Sequence, residues 1–183
     1  MFTKGTMVAS AALGLLLAGL VAPALAAGKN VALGALGYTV QAPDTWVQEQ
    51  PANTMRLAQF QVPAKGQEPA TVIAFYFGQG SGGSVEANVQ RWESQFTTSD
   101  GKPVKATQRA AKAGSFPVTW VELNGNYARG AGMGPQGPAL VNHTLLAAIV
   151  ETPKGSITFH LYGPKAAVAE SRKAYEAMVN SIR

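Results

Sequence analysis

The sequence predicts an α+β domain in which a mainly antiparallel sheet of about six or seven strands is flanked by two helices. Two segments, residues 85–96 and 168–182, carry apolar residues at helical spacing. The other regular segments are short, rich in β-branched and aromatic residues, and separated by turn residues. Their order is three strands, a helix, four strands and a helix, which is typical of hairpin-connected strands with helices packed against the sheet.

The first 26 residues have the pattern of a secretory signal peptide. Lys4 precedes an uncharged apolar run of about 15 residues, and Ala24-Leu25-Ala26 follows as a small-residue cleavage site. A membrane anchor is the alternative, but a helix that spans a bilayer needs roughly 20 apolar residues. We therefore expect cleavage after Ala26, a single α+β domain over residues 27–183, and a periplasmic or extracellular location without a stable membrane span.

Composition restricts the chemistry of this domain. Cleavage leaves 157 of the 183 residues, which suits one domain with its own core. The chain has no cysteine, so disulfides, thiol catalysis and thiolate metal sites are excluded. The formal charge of +5 becomes +4 without Lys4, and the basic residues are scattered, so nucleic acid is not an expected partner.

The first half of the domain is predicted to contain three strands and a helix. Residues 27–30 are expected to be irregular, and "LGYTVQAP" is expected to be a strand that ends at Pro43. "MRLAQFQVP" alternates in polarity, and "TVIAFYF" is almost wholly apolar, as in a central strand covered on both faces. A helix follows, with Ser84 as its N-cap and one apolar stripe, formed by Val85, Val89, Trp92 and Phe96.

The second half is predicted to contain four strands and the closing helix. "VKATQR" is a weak strand and "FPVTWVELNGNYAR" a stronger one, in which Asn124-Gly125 is either a hairpin turn or a bulge. Residues 130–138, "GAGMGPQGP", are predicted to be a loop. "HTLLAAIVETPKGSITFHLYGP" predicts a hairpin that turns at residues 152–155. The last helix carries an apolar stripe, formed by Val168, Tyr175, Met178, Val179 and Ile182.

The glycine-rich segment "FGQGSGGS" raises the possibility of nucleotide binding. Gly78, Gly80 and Gly83 fit the pattern G-x-G-x-x-G of dinucleotide-binding loops. In such folds the motif follows the first strand, whereas here two strands already precede the strand that leads into it, and no Gly-Lys-Ser/Thr of a P-loop occurs. We therefore interpret the glycines as a tight strand-to-helix connection in which no side chain fits, and we predict no cofactor.

The same region is the candidate ligand site. Free N–H groups at the start of a helix attract anions, and Asn88, Arg91 and Gln95 form a polar stripe beside the apolar one. Two interpretations stay open: these side chains satisfy backbone groups of neighbouring loops, or they line a groove together with the glycine loop. The candidate ligand-binding residues are Gly80, Gly82, Gly83, Ser84, Asn88, Arg91 and Gln95.

Motifs for catalysis and metal binding are weak or missing in the sequence. No Gly-x-Ser-x-Gly elbow occurs, and His143 and His160 lack a third ligand, so neither a catalytic serine nor a metal site is predicted. Glu122 and Glu151 lie on strands, and a hydrolase that uses this carboxylate pair stays an alternative. Trp120 is the candidate for an exposed aromatic side chain, with packing under a helix as the alternative.

Several quoted features occur in one order along nearly the whole mature chain: "PDTW", "MRLAQFQVP", "FYFGQGSGG", "NVQRW", the hairpin ending "HLYGP" and the closing helix. This succession resembles a group of uncharacterised exported bacterial proteins whose pattern is similar to the PsbP-like fold. The resemblance implies an antiparallel sheet sandwiched by helices and a non-catalytic accessory or protein-binding role. The expected function is an exported binding or accessory module of the cell envelope, with a protein or an envelope component as partner. The alternative is an envelope-polymer hydrolase using carboxylates such as Glu122 and Glu151.

Overall fold

The computed structural model describes residues 28–128 and 138–183. The predicted signal peptide and nearly all of the predicted 130–138 loop lie outside these residues. In the described ranges no helix is both long enough and apolar enough to cross a membrane.

Ten strands, two α-helices and one short 3₁₀ helix make up the described part of the chain. The strands are β1 Gly28–Ala32, β2 Thr39–Pro43, β3 Val47–Glu49, β4 Arg56–Val62, β5 Ala70–Tyr76, β6 Phe96–Thr97, β7 Thr107–Ala113, β8 Phe116–Tyr127, β9 Leu140–Thr152 and β10 Gly155–Pro164. The helices are the 3₁₀ helix Gly34–Leu36, α1 Val85–Glu93 and α2 Lys165–Asn180.

Eight of these strands form one antiparallel sheet. Its order is β3-β4-β5-β10-β9-β8-β6, and β7 pairs with the other end of β8. β1 and β2 form a separate two-stranded sheet, which packs with α2 against one face, while α1 packs against the other face. The α+β class predicted from the sequence, with its antiparallel sheet and two helices, is confirmed.

Three short strands are absent from the sequence prediction. The expectation of an irregular start is wrong for residues 28–30, because β1 pairs with β2 and Val31, opposite Val40, is buried. β3 and β6 contain three and two residues, too few to show a period of two. At Asn124-Gly125 the bulge is the correct alternative, since β8 continues and its register with β9 shifts between Gly125 and Tyr127.

The larger core lies between the sheet and α2. Val168, Tyr175, Met178 and Val179 of the predicted stripe are all buried there. Trp120 is 3% exposed, and its ring meets that of Tyr175 edge-on at 5.9 Å. The prediction of an exposed Trp120 is therefore wrong, because the even-numbered residues of β8 face α2.

The two ends of the described chain meet on this same face. Thr39 and Arg183 exchange two backbone hydrogen bonds of 3.0 and 3.2 Å. The guanidinium of Arg183 also donates to Asn30 Oδ1 at 2.7 Å. The C-terminal residues thus fasten the β1–β2 sheet to α2.

The smaller core lies under α1, which covers only part of its face. Val89 and Trp92 pack with Phe96 against the odd-numbered residues of β8 and β9. A helix of nine residues is about 14 Å long, whereas the sheet is seven strands wide, because β6 and β7 share one edge of β8, and extends over roughly 29 Å at about 4.8 Å spacing. α1 therefore lies mainly over β8 and β9 and reaches β10 through Trp92, and no helix of the described residues covers β5 on this face.

Candidate functional site

A cavity of about 520 Å³ lies beside α1, over the part of the sheet that the helix leaves uncovered. This volume is within the range of small-molecule sites, about 300 to 1,000 Å³. We call it the α1 cavity, and its lining residues are Met55, Arg56, Ile73, Phe75, Phe77, Arg91, Trp92, Gln95, Tyr127, Leu145, Thr158, His160 and Tyr162.

The floor of the α1 cavity comes from two neighbouring strands. In the antiparallel register Thr158 pairs with Phe75 and His160 with Ile73, so their side chains project from one face. Trp92 of α1 forms a wall, and Tyr127 at the end of β8 stands between Phe96 and Tyr162. The cavity is thus largely aromatic.

His160 is the polar group at the centre of this aromatic wall. The centre of its ring lies 5.1 Å from the centre of the Phe75 ring and 4.9 Å from that of the Trp92 ring, and both contacts are edge-on. Burial, with a smaller contribution from the positive charge of Arg91, lowers the pKa of His160 to about 3. The imidazole is therefore neutral at neutral pH, and its Nε2 is buried without a hydrogen-bond partner among the described residues.

Two arginines line the α1 cavity, and no acidic residue among the described residues lines it with them. Arg56 donates from Nη1 to Gln59 Oε1 at 2.6 Å, and its guanidinium lies 5.8 Å from the centre of the Phe75 ring. Arg91 is solvent-exposed and donates to Asn88 Oδ1. Neither arginine forms an ion pair within the described part of the chain.

The glycine loop, residues 78–83, leads from β5 into α1 and is held by Asn88. The buried Asn88 amide donates to Gly82 O at 2.8 Å and to Ser84 O at 2.9 Å. Gly78, Gly80 and Gly83 have left-handed backbone angles, with φ of 99°, 73° and 74°. The glycines do form the predicted strand-to-helix connection. The predicted lack of room is wrong at Gly80 and Gly82, however, since a Cβ there would meet nothing within 4 Å.

The start of α1 already has its own partners. Ser84 accepts a hydrogen bond from the Ala87 N–H at 3.1 Å, as the sequence predicts for an N-cap. A hydrogen bond from its own backbone N–H, followed by one from Ser84, lowers the pKa of the Glu86 carboxyl in the first turn. A negative side chain therefore occupies the position where an external anion was expected.

The structure divides the predicted ligand residues into two groups. Arg91 and the buried Gln95 line the α1 cavity. Asn88 and Ser84 instead satisfy backbone groups of the loop and the helix. For Asn88 this agrees with the first of the two interpretations of the polar stripe. Gly80, Gly82 and Gly83 lie in the connection and do not line the cavity.

The carboxylate pair of the hydrolase alternative is not brought together. Glu122 faces α2 and pairs with Arg172 at 2.8 Å. Burial acts to raise the pKa of Glu122, but hydrogen bonds from Asn124 and Arg172 outweigh it, and the pKa is lowered. In the register Glu122 pairs with Leu146, five residues from Glu151, which corresponds to about 17 Å along β9. Since 146 and 151 differ by an odd number, Glu151 projects from the opposite face.

The two histidines are also apart. His143 pairs with Pro164, four positions from His160 along β10, and its Nδ1 lies 2.9 Å from Val141 O. In the described ranges no three metal-ligating side chains come together.

Sequence reasoning missed the residues that lie opposite α1 across the cavity. Alternation along "ITFHLY" puts His160 on the same face as Thr158 and Tyr162. Polar groups on a face expected to be covered were the available signal. The missing information was the pairing of β10 with β5, which brings Phe75 beside His160 across more than 80 residues of chain.

No protein-family model matches the chain, and no curated protein matches it either. Solved structures do. Cyanobacterial PsbP (CyanoP) from Synechocystis sp. PCC 6803 is 13% identical, with a TM-score of 0.52, over 91% of this chain and 98% of that one. LpqN of Mycobacterium tuberculosis, described as involved in cell envelope biogenesis, is 14% identical, with a TM-score of 0.52, over 85% of this chain and 83% of that one.

What these proteins share is the fold. The antiparallel sheet between α1 on one face and α2 on the other is similar to that of CyanoP over nearly the full length of both chains. The PsbP-like sandwich expected from the order of the sequence features is thus confirmed, and the chain has a PsbP-like fold.

Proposed function

We propose that this protein is an exported, non-catalytic module of the cell envelope, and that it binds its partner or ligand at the α1 cavity and the adjoining glycine loop. The α1 cavity carries the proposal, because it combines aromatic walls, a neutral histidine and two arginines that pair with no carboxylate of the described residues. Such a concave, mostly apolar site with a few convergent polar groups suits binding.

The candidate ligand residues have different roles in this proposal. Arg91 and Gln95 line the cavity and contact the bound component. Gly80, Gly82, Gly83 and Ser84 form the adjoining surface, and Asn88 holds that surface in place through its bonds to Gly82 and Ser84.

Two further observations support an envelope role. The first 26 residues have the pattern of a signal peptide, which directs a chain to the periplasm or beyond. LpqN, described as involved in cell envelope biogenesis, has a similar fold.

The test is capture from an envelope extract on beads that carry the purified protein. Wild type is compared with Arg91→Ala and with Arg109→Ala, which removes the same charge on the opposite face of the sheet, where Arg109 lies over Trp120. We expect one component to be retained by wild type and by Arg109→Ala and to be lost from Arg91→Ala. An identical set of captured components on all three proteins would contradict the proposal, as would turnover of an envelope polymer that Glu122→Gln abolishes.

A further inference from the structure

We propose that the α1 cavity binds a small organic anion with a flat apolar body, whose rings lie against the aromatic walls and whose negative group lies beside Arg56 and Arg91. This inference rests on the site of the proposed function and goes beyond it by naming the class of ligand.

The charge of the cavity is the first argument. In the described ranges Arg109, Arg172, Lys102 and Lys105 lie within 4.0 Å of a carboxylate, and the other basic side chains do not. Arg56 and Arg91 instead use neutral amide oxygens, those of Gln59 and Asn88. Two guanidinium groups without an acidic partner beside one cavity select a negatively charged ligand, and a guanidinium is well shaped for a carboxylate or a sulfonate.

Unsatisfied hydrogen-bonding atoms are the second argument. Three buried side-chain atoms lack a hydrogen-bond partner in the described ranges, and two of them belong to residues that line this cavity: Nε of Arg56 and Nε2 of His160. Buried polar groups in folded proteins normally have partners. The Arg56 Nε–H is a donor, and a neutral imidazole that carries its proton on Nε2 is a donor too, so both atoms are of the type that donates to the oxygens of a bound anion.

The shape and apolarity of the walls are the third argument. The rings of Phe75 and Phe77 are nearly parallel, 8° apart, with centres 6.0 Å apart. Phe77 is 38% exposed and Met55 47% exposed, and both line the cavity. Covering these exposed apolar side chains with a ligand removes apolar surface from water and so favours binding. Parallel rings favour a flat ligand.

The experiment compares two fluorescent probes that share one aromatic body. Anilinonaphthalene sulfonate is an anion, and N-phenylnaphthylamine lacks the sulfonate. We expect saturable binding of one anionic probe per protein, about 10-fold or more tighter than binding of the neutral probe, because hydrogen bonds to charged groups are the stronger ones. Equal affinities for the two probes, or fluorescence that does not saturate, would overturn the inference.

Variants locate the bound probe. In the double variant Arg56→Gln/Arg91→Gln, we expect the affinity for the anionic probe to fall by about 10-fold or more and the affinity for the neutral probe to stay unchanged. His160→Phe is expected to weaken the anionic probe as well, whereas Arg109→Gln, on the opposite face, is expected to bind as wild type. Circular dichroism checks the fold of each variant, and the single change of the exposed Arg91 to Gln serves if the double variant does not fold. An anionic-probe affinity unchanged by Arg91→Gln and by the double variant would overturn the inference.

The two proposals fail separately. Capture of an Arg91-dependent envelope component, without preference for the anionic probe, would refute the ligand class and leave the envelope role. Preference for the anionic probe without capture would refute the envelope role and support the ligand class.

Discussion

His160 couples the protonation of a single side chain to the stability of the fold. Its imidazole lies between Phe75 and Trp92, and the charged side chains that line the same cavity are Arg91 on α1 and Arg56 on β4. Burial disfavours the imidazolium ion, and the positive charge of Arg91 adds to this effect. The ring is therefore neutral in the folded chain under conditions in which it is charged in the unfolded chain.

Stability is expected to fall as pH falls below about 6.5. The pKa of His160 is about 3 in the folded protein and about 6.5 in the unfolded chain, so the unfolded chain binds more protons between these values. The free energy of unfolding should decrease by up to about 1.4 kcal/mol per pH unit over this range, and His160→Phe should remove that slope. Urea unfolding of both proteins at several values between pH 7 and pH 4.5 is the measurement.

Carboxylates set the lower limit of this comparison. The pKa values of Glu86, Glu93, Asp100 and Glu122 are lowered, so these groups add their own loss of stability in more acidic solution, and they do so in both proteins. The difference between wild type and variant above about pH 4.5 therefore belongs to His160. Parallel curves for the two proteins would contradict the assignment.

Asn88 is expected to contribute more to stability than an exposed polar residue of α1 does. Asn88→Ala removes two hydrogen bonds to Gly82 O and Ser84 O at a buried position and should cost about 1 to 3 kcal/mol. Gln90→Ala, an exposed change on the same helix, should change stability by less than about 0.5 kcal/mol. Thermal unfolding of the two variants gives the comparison, and equal melting temperatures would show that Asn88 does not hold the loop.

In the glycine loop, backbone conformation and not a lack of space determines where glycine is required. A Cβ at Gly80 or at Gly82 would meet nothing within 4 Å, yet only Gly80 of these two has a left-handed φ, 73°. Gly80→Ala should therefore cost about 1 to 2 kcal/mol, and Gly82→Ala should be nearly neutral. Urea unfolding distinguishes the two variants, and a similar loss in both would mean that an unrecognised contact, and not φ, selects glycine here.

The elements predicted correctly from the sequence are those that are long enough to show a periodic apolar pattern. α2, the β9–β10 hairpin, β4 and β5 each extend over seven or more residues, and their apolar patterns match the faces that are buried. β3 and β6 are too short for a pattern, and β1 becomes a strand through its pairing with β2.

The candidate site was predictable only in part, for a related reason. Arg91 and Gln95 follow from the period of one helix, since they lie beside the Trp92 stripe. Arg56, Phe75 and His160 come together through the pairing of β4 with β5 and of β5 with β10, and no local pattern specifies which distant strands become neighbours. Trp120 shows the same limit, because alternation gives two faces without saying which one α2 covers.

For the whole molecule, processing at the N-terminus is the main expectation. Expressed in a bacterium with a Sec pathway, the full chain should be found outside the cytoplasm with Ala27 as its first residue, because the preceding residues have the pattern of a signal peptide. Fractionation and N-terminal sequencing of the purified protein are the measurements. A variant without residues 2–26 should stay in the cytoplasm, and an intact N-terminus in the exported protein would refute cleavage.

The hydrogen bonds that Arg183 forms with Thr39 and Asn30 place it on the face of the sheet opposite the α1 cavity. The last residue is fastened to the first two strands on the α2 face, and the α1 cavity opens on the other side of an eight-stranded sheet. A dye, a surface or a fused reporter joined after Arg183 therefore stands behind the sheet. Attachment after Arg183 therefore leaves the α1 cavity on the opposite face of the sheet, open to a ligand.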